Sequence, residues 1–274
     1  MHHMNEVEAR QESSSLRARL RRAMSIGGMA ALLALPACLD LAGGEAADDE
    51  VAGSENEIAQ SVGSYPVGVI PDDDEACPSN SDEITIFMDD EDTDNANSHS
   101  GWIGKTDSSA NTKFHFCRVE GHLFRPFSTV SSLSDMKDDY AVLKLGPACP
   151  PGSVEFNRFF DNEDSNDNSN SFDGNIAPNE STHNTRLFFC MFRAAQIGDP
   201  TISSFPDLDL GFHYGVFAPA DFNHGAIAKG QFRTDEEDKD NSSSYTVPAQ
   251  ASTAAHRIVE EISGGTVFHT VLVK

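Results

Sequence analysis

Residues 149–175 read CPPGSVEFNRFFDNEDSNDNSNSFDGN, and residues 184–190 read NTRLFFC. The same words occur earlier in the chain, because residues 77–103 read CPSNSDEITIFMDDEDTDNANSHSGWI and residues 111–117 read NTKFHFC. The Cys-Pro pairs, the acidic runs and the Asn-Thr pairs match in the same order. A fainter third copy begins at Tyr214 and contains the run DEEDKDNSSS. This recurrence predicts three copies of one structural unit.

The predicted units are rich in strand signals. Each opens at a tyrosine that leads a short apolar stretch, and a Pro/Gly turn and a second strand follow. In the first unit Ile84, Ile86 and Met88 alternate with other residues, which is the period of a half-buried strand. Long helical periodicity does not occur, so we predict an all-β fold. It would be a β-sandwich or a pseudo-threefold β-prism-like arrangement, with units 65–139, 140–213 and 214–274.

Residues 251–262 of the third unit, ASTAAHRIVEEI, fit two structures. They could form a short helix that ends at Gly264-Gly265. They could also form one arm of a hairpin, because the two glycines join them directly to TVFHTVLV. The strand-like second arm favours the hairpin.

The charge of the chain limits its partners. The formal net charge is −25, and fields of this sign repel nucleic acids and anionic membrane surfaces, which are recognised by clustered Lys and Arg. A negative field of this kind attracts divalent cations and basic partners instead. An acidic surface also keeps a protein soluble in a salty medium, and the charge alone does not decide between these roles.

The N-terminus is typical of an export signal. Residues 16–22 read LRARLRR, and a short apolar segment follows from Ile26 to Leu35. The segment ends in Leu35-Pro36-Ala37-Cys38, which resembles the lipobox of bacterial lipoproteins. The resemblance implies that Cys38 receives a lipid and becomes the new N-terminus, at the outer membrane or the cell surface. Alternatively, an ordinary cleavage site precedes an incidental thiol at Cys38.

We therefore expect three parts: a signal peptide at 1–37, a lipidated cysteine with an acidic tether at 38–64, and the folded body at 65–274. The tether contains Ala, Gly, Ser, Glu and Asp, so it has too little apolar surface to offset its ordering entropy. All 18 phenylalanines lie at or after Phe87, within the body. The residues of the body alone suggest no family.

The cysteines of the body fall in matched positions of the first two units. In the third unit both positions carry other residues: the first falls at or near Asp221, and the second is Val271. Joint loss within one unit indicates that the two positions bond to each other. Of the three possible pairings we therefore predict Cys77–Cys117 and Cys149–Cys190, and the main rival is Cys117–Cys149.

The acidic runs are the strongest candidates for a functional site. Calcium prefers six to eight oxygen ligands, and alternating acidic or amide side chains on a turning loop can supply three of them. The alternative is a solvated loop that protects the sheet edges from aggregation. The candidate ligands are Asp90, Asp92 and Asp94 in the first unit and Asn162, Asp164 and Asn166 in the second.

Trp102 directly follows the first acidic run and its flank, where it could stack on a sugar or a partner or pack in the core. Taken together, these features favour a non-catalytic binding or scaffold module at the cell envelope, for calcium-dependent adhesion or carbohydrate binding. The partner would be a carbohydrate or a protein, and the membrane would be contacted through the lipid alone. The alternatives are a secreted hydrolase with a site assembled from distant residues, and a passive structural lipoprotein without a ligand.

Overall fold

The structure, a computed structural model, describes residues 65–90, 95–128, 136–162, 169–194, 200–209, 211–236 and 241–274. The predicted signal peptide, the lipidation site Cys38 and the predicted tether lie outside the described residues.

Antiparallel strands dominate the described part of the chain, as the alternation of apolar residues predicts. The strands are β1 (Pro66–Pro71), β2 (Glu83–Met88), β3 (Ser98–Gly101), β4 (Asp107–Ser108), β5 (Thr112–Glu120), β6 (Tyr140–Lys144), β7 (Ser153–Phe160), β8 (Ser171–Asp173), β9 (Glu180–Ser181), β10 (Thr185–Phe192), β11 (Tyr214–Phe217), β12 (Ala228–Asp235), β13 (Ser244–Thr246), β14 (Val259–Ile262) and β15 (Gly265–Leu272). The described helices are α1 (Ser252–Ile258) and short 3-10 turns at Gly121–Leu123, Met136–Asp138 and Ala249–Ala251.

The same pairings occur within each of the three units. One long strand of each unit (β5, β10 or β15) pairs with the opening strand, with a second strand and with a short one. These pairs are β1, β2 and β4 with β5, then β6, β7 and β9 with β10, and finally β11, β12 and β14 with β15. The register opposite the second strands places Cys117, Cys190 and Val271 at one shared position. Opposite the opening strands their partners are Val69, Val142 and Val216, so Tyr65 lies two residues further from this position than the other two opening tyrosines do.

Further pairings connect the units in a closed order. Strand β2 of the first unit pairs with β8 of the second, β7 of the second pairs with β13 of the third, and β12 of the third pairs with β3 of the first. The opening strands β1, β6 and β11 also pair with one another. All 15 strands thus belong to one sheet, and the all-β prediction is confirmed. A threefold rotation between the units, and the choice between sandwich and prism, stay predictions.

Two apolar clusters hold the strands together. The first contains eight phenylalanines among its 24 buried residues, and Phe268 contacts the rings of Phe114, Phe160, Phe217 and Phe232. The second contains both disulfide bonds and the tyrosines of the second and third opening strands. The predicted Cys77–Cys117 and Cys149–Cys190 bonds are both present, with Cα–Cα distances of 5.3 and 5.4 Å.

The stretch 251–262 combines the two structures that its sequence allowed. Residues Ser252–Ile258 form α1, whose Ala254, Ala255 and Ile258 are buried in the first cluster. Only Val259–Ile262 form the hairpin arm with β15. The expected hairpin is therefore wrong for the helical half, because burial of its small apolar face in the core outweighs strand pairing there. Within the described ranges no helix is long and apolar enough to cross a membrane.

Candidate functional site

An aspartate lies at the end of the second strand of each unit, as its last residue or directly after it, and binds the backbone of a neighbouring unit. The three aspartates occupy matched positions, and each accepts a backbone N–H from the residues that follow another unit's acidic run. The bonds, all 2.7 Å long, run from Ser169 N to Asp89 Oδ2, from Ser242 N to Asp161 Oδ2 and from Ala96 N to Asp235 Oδ2. We call these contacts the aspartate clamps.

Each clamp is reciprocal. The backbone N–H of the aspartate donates to a side-chain oxygen of the same neighbouring segment. These bonds run from Asp89 N to Asn170 Oδ1 at 2.6 Å, from Asp161 N to Ser243 Oγ at 2.9 Å and from Asp235 N to Asn97 Oδ1 at 2.6 Å. Hydrogen bonds to ionised acceptors contribute about 1.5–3 kcal/mol each, so the clamps fix the units to one another strongly.

The residue after each aspartate is buried and is held by its own unit. Asp90 and Asn162 are 0% exposed and Glu236 is 1% exposed. In the first two units, the asparagine of the matched Asn-Thr pair accepts a hydrogen bond from the backbone of this residue. Asn111 Oδ1 accepts the N–H of Asp90 at 2.9 Å, and Asn184 Oδ1 accepts that of Asn162 at 2.9 Å.

The clamps bring together the described residues on either side of the three acidic runs. Each clamp joins the second residue before one run to the residues after another, in the closed order first to second, second to third and third to first. The runs themselves, 91–94, 163–168 and 237–240, lie outside the described residues. Their sequences EDTD, EDSNDN and EDKD contain nine acidic residues and one lysine. The described residues that flank all three runs therefore lie at one end of the sheet.

Asp90 has an unusual environment within this end. Burial raises the pKa of its carboxyl to about 8, hydrogen bonds from Thr112 and Asn97 lower it in part, and the charges of Glu236 and Asp235 raise it further. Oδ2 accepts from Thr112 Oγ1 at 2.6 Å and from Asn97 Nδ2 at 2.7 Å. Oδ1 is buried and has no hydrogen-bond partner among the described residues. The carboxyl group thus holds a proton at neutral pH.

Glu236, at the matched position of the third unit, has a cationic partner instead. Arg158 is 1% exposed, and its Nη2 lies 3.0 and 3.1 Å from the two carboxylate oxygens of Glu236. The guanidinium also lies 4.6 Å from the ring centre of Tyr245. The registers of β2, β7 and β12 place Arg158 where the other units have the buried Ile86 and Phe232. One buried charge pair therefore replaces apolar packing in the second unit.

The sequence of the chain matches one known family. The model of the family described as bacterial ApeC matches residues 52–195, just over half of the chain. The chain belongs to the bacterial ApeC family. The body, whose residues alone suggested no family, thus has one. The match includes all four cysteines of the disulfide bonds and the first two acidic runs of this ApeC protein. No curated protein and no solved structure matches the chain.

Two of the six candidate calcium ligands lie within the described residues of the ApeC protein. Asp90 and Asn162 are both buried beside the clamps, and Asn162 Oδ1 accepts from Asn170 Nδ2 at 3.1 Å. The other candidates, Asp92, Asp94, Asp164 and Asn166, lie outside the described residues. Across the described ranges no three His, Cys, Asp or Glu side chains are grouped so that they could hold a metal ion. Calcium binding stays a prediction.

Trp102, the candidate stacking residue, is half-buried against the first apolar cluster. Its Nε1–H donates to Asp72 Oδ1 at 2.6 Å. The edge of the indole ring packs on Gly215, where an added Cβ would lie 2.1 Å from the ring. The ring contributes to the core, and stacking on a ligand stays a prediction for its accessible part.

Sequence reasoning missed the clamps, although their signal was present. Asp89 and Asp161 are matched in the repeated words, and so are Asn111 and Asn184. Identical polar residues at matched strand ends indicate a shared structural role. Their partners lie in other units, however, and no local pattern specifies which segment provides them.

The raised pKa of Asp90 predicts that stability depends on pH. Because the folded carboxyl keeps its proton up to about pH 8 while the unfolded one ionises near its ordinary pKa of 3.8, folding is penalised increasingly as pH rises through this window. We expect Asp90→Asn to remove a slope of up to about 1.4 kcal/mol per pH unit from the free energy of unfolding. Urea unfolding between about pH 5 and pH 9, in EDTA, measures this slope.

The second unit provides the matched control, because Asn162 already occupies the same position. Asn162→Asp is expected to steepen the loss of stability with rising pH, and Asp90→Asn to flatten it. Equal pH profiles for the parent protein and Asp90→Asn would show that the Asp90 carboxyl ionises normally in the folded state.

Proposed function

We propose that this protein is an exported, lipid-anchored protein of the bacterial outer membrane or cell surface, and that its folded part is a non-catalytic binding module. Its binding face is the end that carries the three acidic runs, and calcium orders this face for adhesion or carbohydrate binding. The observation that carries the proposal is the closed cycle of aspartate clamps, which joins the ends of all three runs.

The clamps supply what a weak calcium site needs. A loop with fixed ends loses less conformational entropy when its oxygens converge on a cation. The runs combine carboxylates with the amides and hydroxyls of Asn, Ser and Thr, which are hard oxygen ligands. A dense cluster of like charges is also costly without a counter-ion, so a divalent cation would relieve repulsion between the runs.

The position of the first described residue supports an outward-facing site. Tyr65 O accepts the N–H of Gly121 at 2.9 Å, and Pro66 pairs with Glu120 at the end of β5. The clamps lie near the other end of β5, where Thr112 bonds to Asp90. A strand of this length spans about 30 Å. The described part of the chain thus begins at the end opposite the clamps, and in this proposal the clamps face away from the membrane.

Asp90 and Asp139 have raised pKa values, and both carboxyl groups form hydrogen bonds that hold the fold together. This structural use of the two groups supports a non-catalytic role. Asp90 belongs to the clamp region. Burial raises the pKa of Asp139 to about 6, and hydrogen bonding to the backbone N–H of Ala194 and the charge of Arg193 lower it in part. Ala194 N lies 2.8 Å from Asp139 Oδ1, so this carboxyl secures the chain after β10. Perturbed groups of this kind indicate structural networks as well as active sites.

Calcium titration monitored by thermal unfolding tests the proposal. With a dissociation constant on the order of 1 mM, as in extracellular modules, about 10 mM calcium stabilises the protein by about 1.4 kcal/mol. This corresponds to a rise in Tm of about 3–6 °C for a folded part of this size. Magnesium should produce a smaller rise, because it demands stricter geometry and retains its water.

Variants locate the effect. The pair Asp92→Asn and Asp94→Asn should reduce the calcium-dependent rise in Tm, and Asp164→Asn should reduce it less, because the second run already has Asn162 and Asn166. Asp74→Asn with Asp82→Asn is the control with the same change in charge, since both residues are exposed and Asp82 precedes the opposite end of β2. No shift of Tm at millimolar calcium would remove the metal from the proposal.

A further inference from the structure

A small pocket lies where β3, β12 and β15 run side by side in the third unit. Its volume is about 230 Å³, and residues 100–101, 229–231 and 269–271 line it together with Ala220. Pockets for drug-sized ligands occupy about 300–1,000 Å³, so this one has room for a single small group. None of the residues that line it is acidic, although the chain has 44 acidic residues and only 19 Lys and Arg. Its lining therefore differs in charge from most of the protein.

The cation of this pocket, Lys229, reverses the charge that the other two units have at the matched position. Lys229 lies opposite Val271 in the register of β12 and β15. At the same place in the first and second units, Glu83 and Glu155 lie opposite the matched cysteines. The third unit thus presents a positive group where its counterparts present negative ones.

The ammonium group of Lys229 has neutral partners. Its Nζ lies 3.1 Å from Asn223 Oδ1 and 3.4 Å from Ala220 O, which places it at the wall of the pocket. Lys144 and Lys274, in contrast, each form an ion pair with a carboxylate. Within the described ranges no carboxylate forms an ion pair with Lys229. An ammonium group has three N–H donors, so one donor and the positive charge remain for a ligand.

His269 adds a hydrogen-bond acceptor to the same face of the sheet. Its Nε2 lies 3.3 Å from Glu260 Oε2, and Glu260 itself does not line the pocket. A carboxylate can only accept, so Nε2 carries the proton and Nδ1 of the neutral ring is an acceptor. In the register His269 lies opposite Gln231 and diagonal to Lys229. Diagonal neighbours are about 7–8 Å apart, so one small ligand can contact both side chains.

We propose that this pocket binds a uronic-acid residue of an acidic polysaccharide. Lys229 would donate to the sugar carboxylate, and His269 Nδ1 would accept from a neighbouring hydroxyl group. The net charge of −25 opposes an anion at long range, but salt screens charges beyond about 8 Å at physiological ionic strength. The contact groups therefore decide binding.

This site is separate from the acidic face and does not depend on calcium. Asp235, the clamp residue on β12, lies six residues beyond Lys229, which corresponds to about 20 Å along the strand. Loss of uronate binding would leave a calcium-dependent rise in Tm intact. A failed calcium titration would likewise leave uronate binding intact.

Titration of the protein with glucuronate, followed by NMR in EDTA at about 0.15 M salt, tests the proposal. Glucuronamide keeps the shape of the sugar without its charge, and glucose has a hydroxymethyl group in place of the carboxylate. We expect only glucuronate to give saturable shifts, at residues 100–101, 229–231 and 269–271, and to do so equally in calcium. Because this comparison uses the parent protein, it decides the matter even where a variant fails to fold.

Variants locate the contacts. Lys229→Met should weaken glucuronate binding by about tenfold or more, through loss of a hydrogen bond to a charged group. Lys113→Met, with the same change in charge at an exposed lysine outside the pocket, should not. His269→Phe copies Phe188 of the second unit and should weaken binding by about fivefold. Equal binding of glucuronamide, shifts that do not saturate, or equal effects of Lys229→Met and Lys113→Met would overturn the proposal.

Discussion

Arg158→Ile is expected to lower the free energy of unfolding by about 3–5 kcal/mol, because it leaves the carboxylate of Glu236 buried without its cation. Both side chains are only 1% exposed, and the guanidinium bonds to Glu236 and to Thr266 Oγ1 at 3.1 Å. Isoleucine itself suits the position, since Ile86 is buried at the matched place of the first unit. The loss would therefore report the uncompensated charge rather than poor packing.

A double variant separates these causes. Arg158→Ile combined with Glu236→Gln removes both charges, and we expect it to recover more than half of the lost stability, because apolar replacements of buried ion pairs are often nearly neutral. Arg186→Ile is the control at a partly exposed ion pair, since the Arg186 side chain is 32% exposed and its Nε lies 3.8 Å from Glu180 Oε2, so we expect a loss of about 1 kcal/mol or less. Urea unfolding measures all four proteins. Additive losses in the double variant would contradict the explanation.

Removal of either disulfide bond is expected to cost about 4 kcal/mol, because each closes a loop of similar length and restricts the unfolded chain equally. The sequence separations are 40 and 41 residues. We expect similar losses for Cys77→Ala with Cys117→Val and for Cys149→Ala with Cys190→Val. Valine is chosen for the strand position, because Val271 occupies it in the third unit.

The comparison of the two pairs provides the internal control. Equal loops predict equal losses, so a difference of more than about 2 kcal/mol would show that native contacts, rather than the unfolded chain, dominate one bond. Urea midpoints and m-values of the oxidised parent and the two variants give this result. A loss below about 1 kcal/mol in both pairs would contradict the chain-entropy estimate.

The sequence predicted the elements that depend on local order. Alternation in Glu83–Met88 predicts a half-buried strand, and β2 has this pattern of burial. The matched cysteines predict disulfide pairing within a unit, because the third unit has lost both cysteine positions together. The spacing of the cysteines alone would not distinguish this pairing from the alternatives. The prediction failed where two local preferences competed, at Ser252–Ile258. There a helix that buries alanines in the core replaces the expected strand.

The candidate site was predicted only in part. Asp90 and Asn162 were identified as polar residues at matched positions, but their burial was not, because acidic runs are usually solvated. The clamp partners were also not predicted. Asp235 and Asn97 are 138 residues apart, and their contact requires β12 to pair with β3 of the first unit.

The sequence by itself determined the strand-rich class of the body, its matched positions and its two disulfide pairs, because periodicity and recurrence are properties of the chain order. Only the tertiary structure decided that the residues flanking the acidic runs meet at one end of the sheet, that Arg158 compensates Glu236 and that a pocket forms beside Lys229. Each of these features joins residues from distant segments. Strand order in the sheet selects these partners, and hydrogen bonding and burial then fix their chemistry.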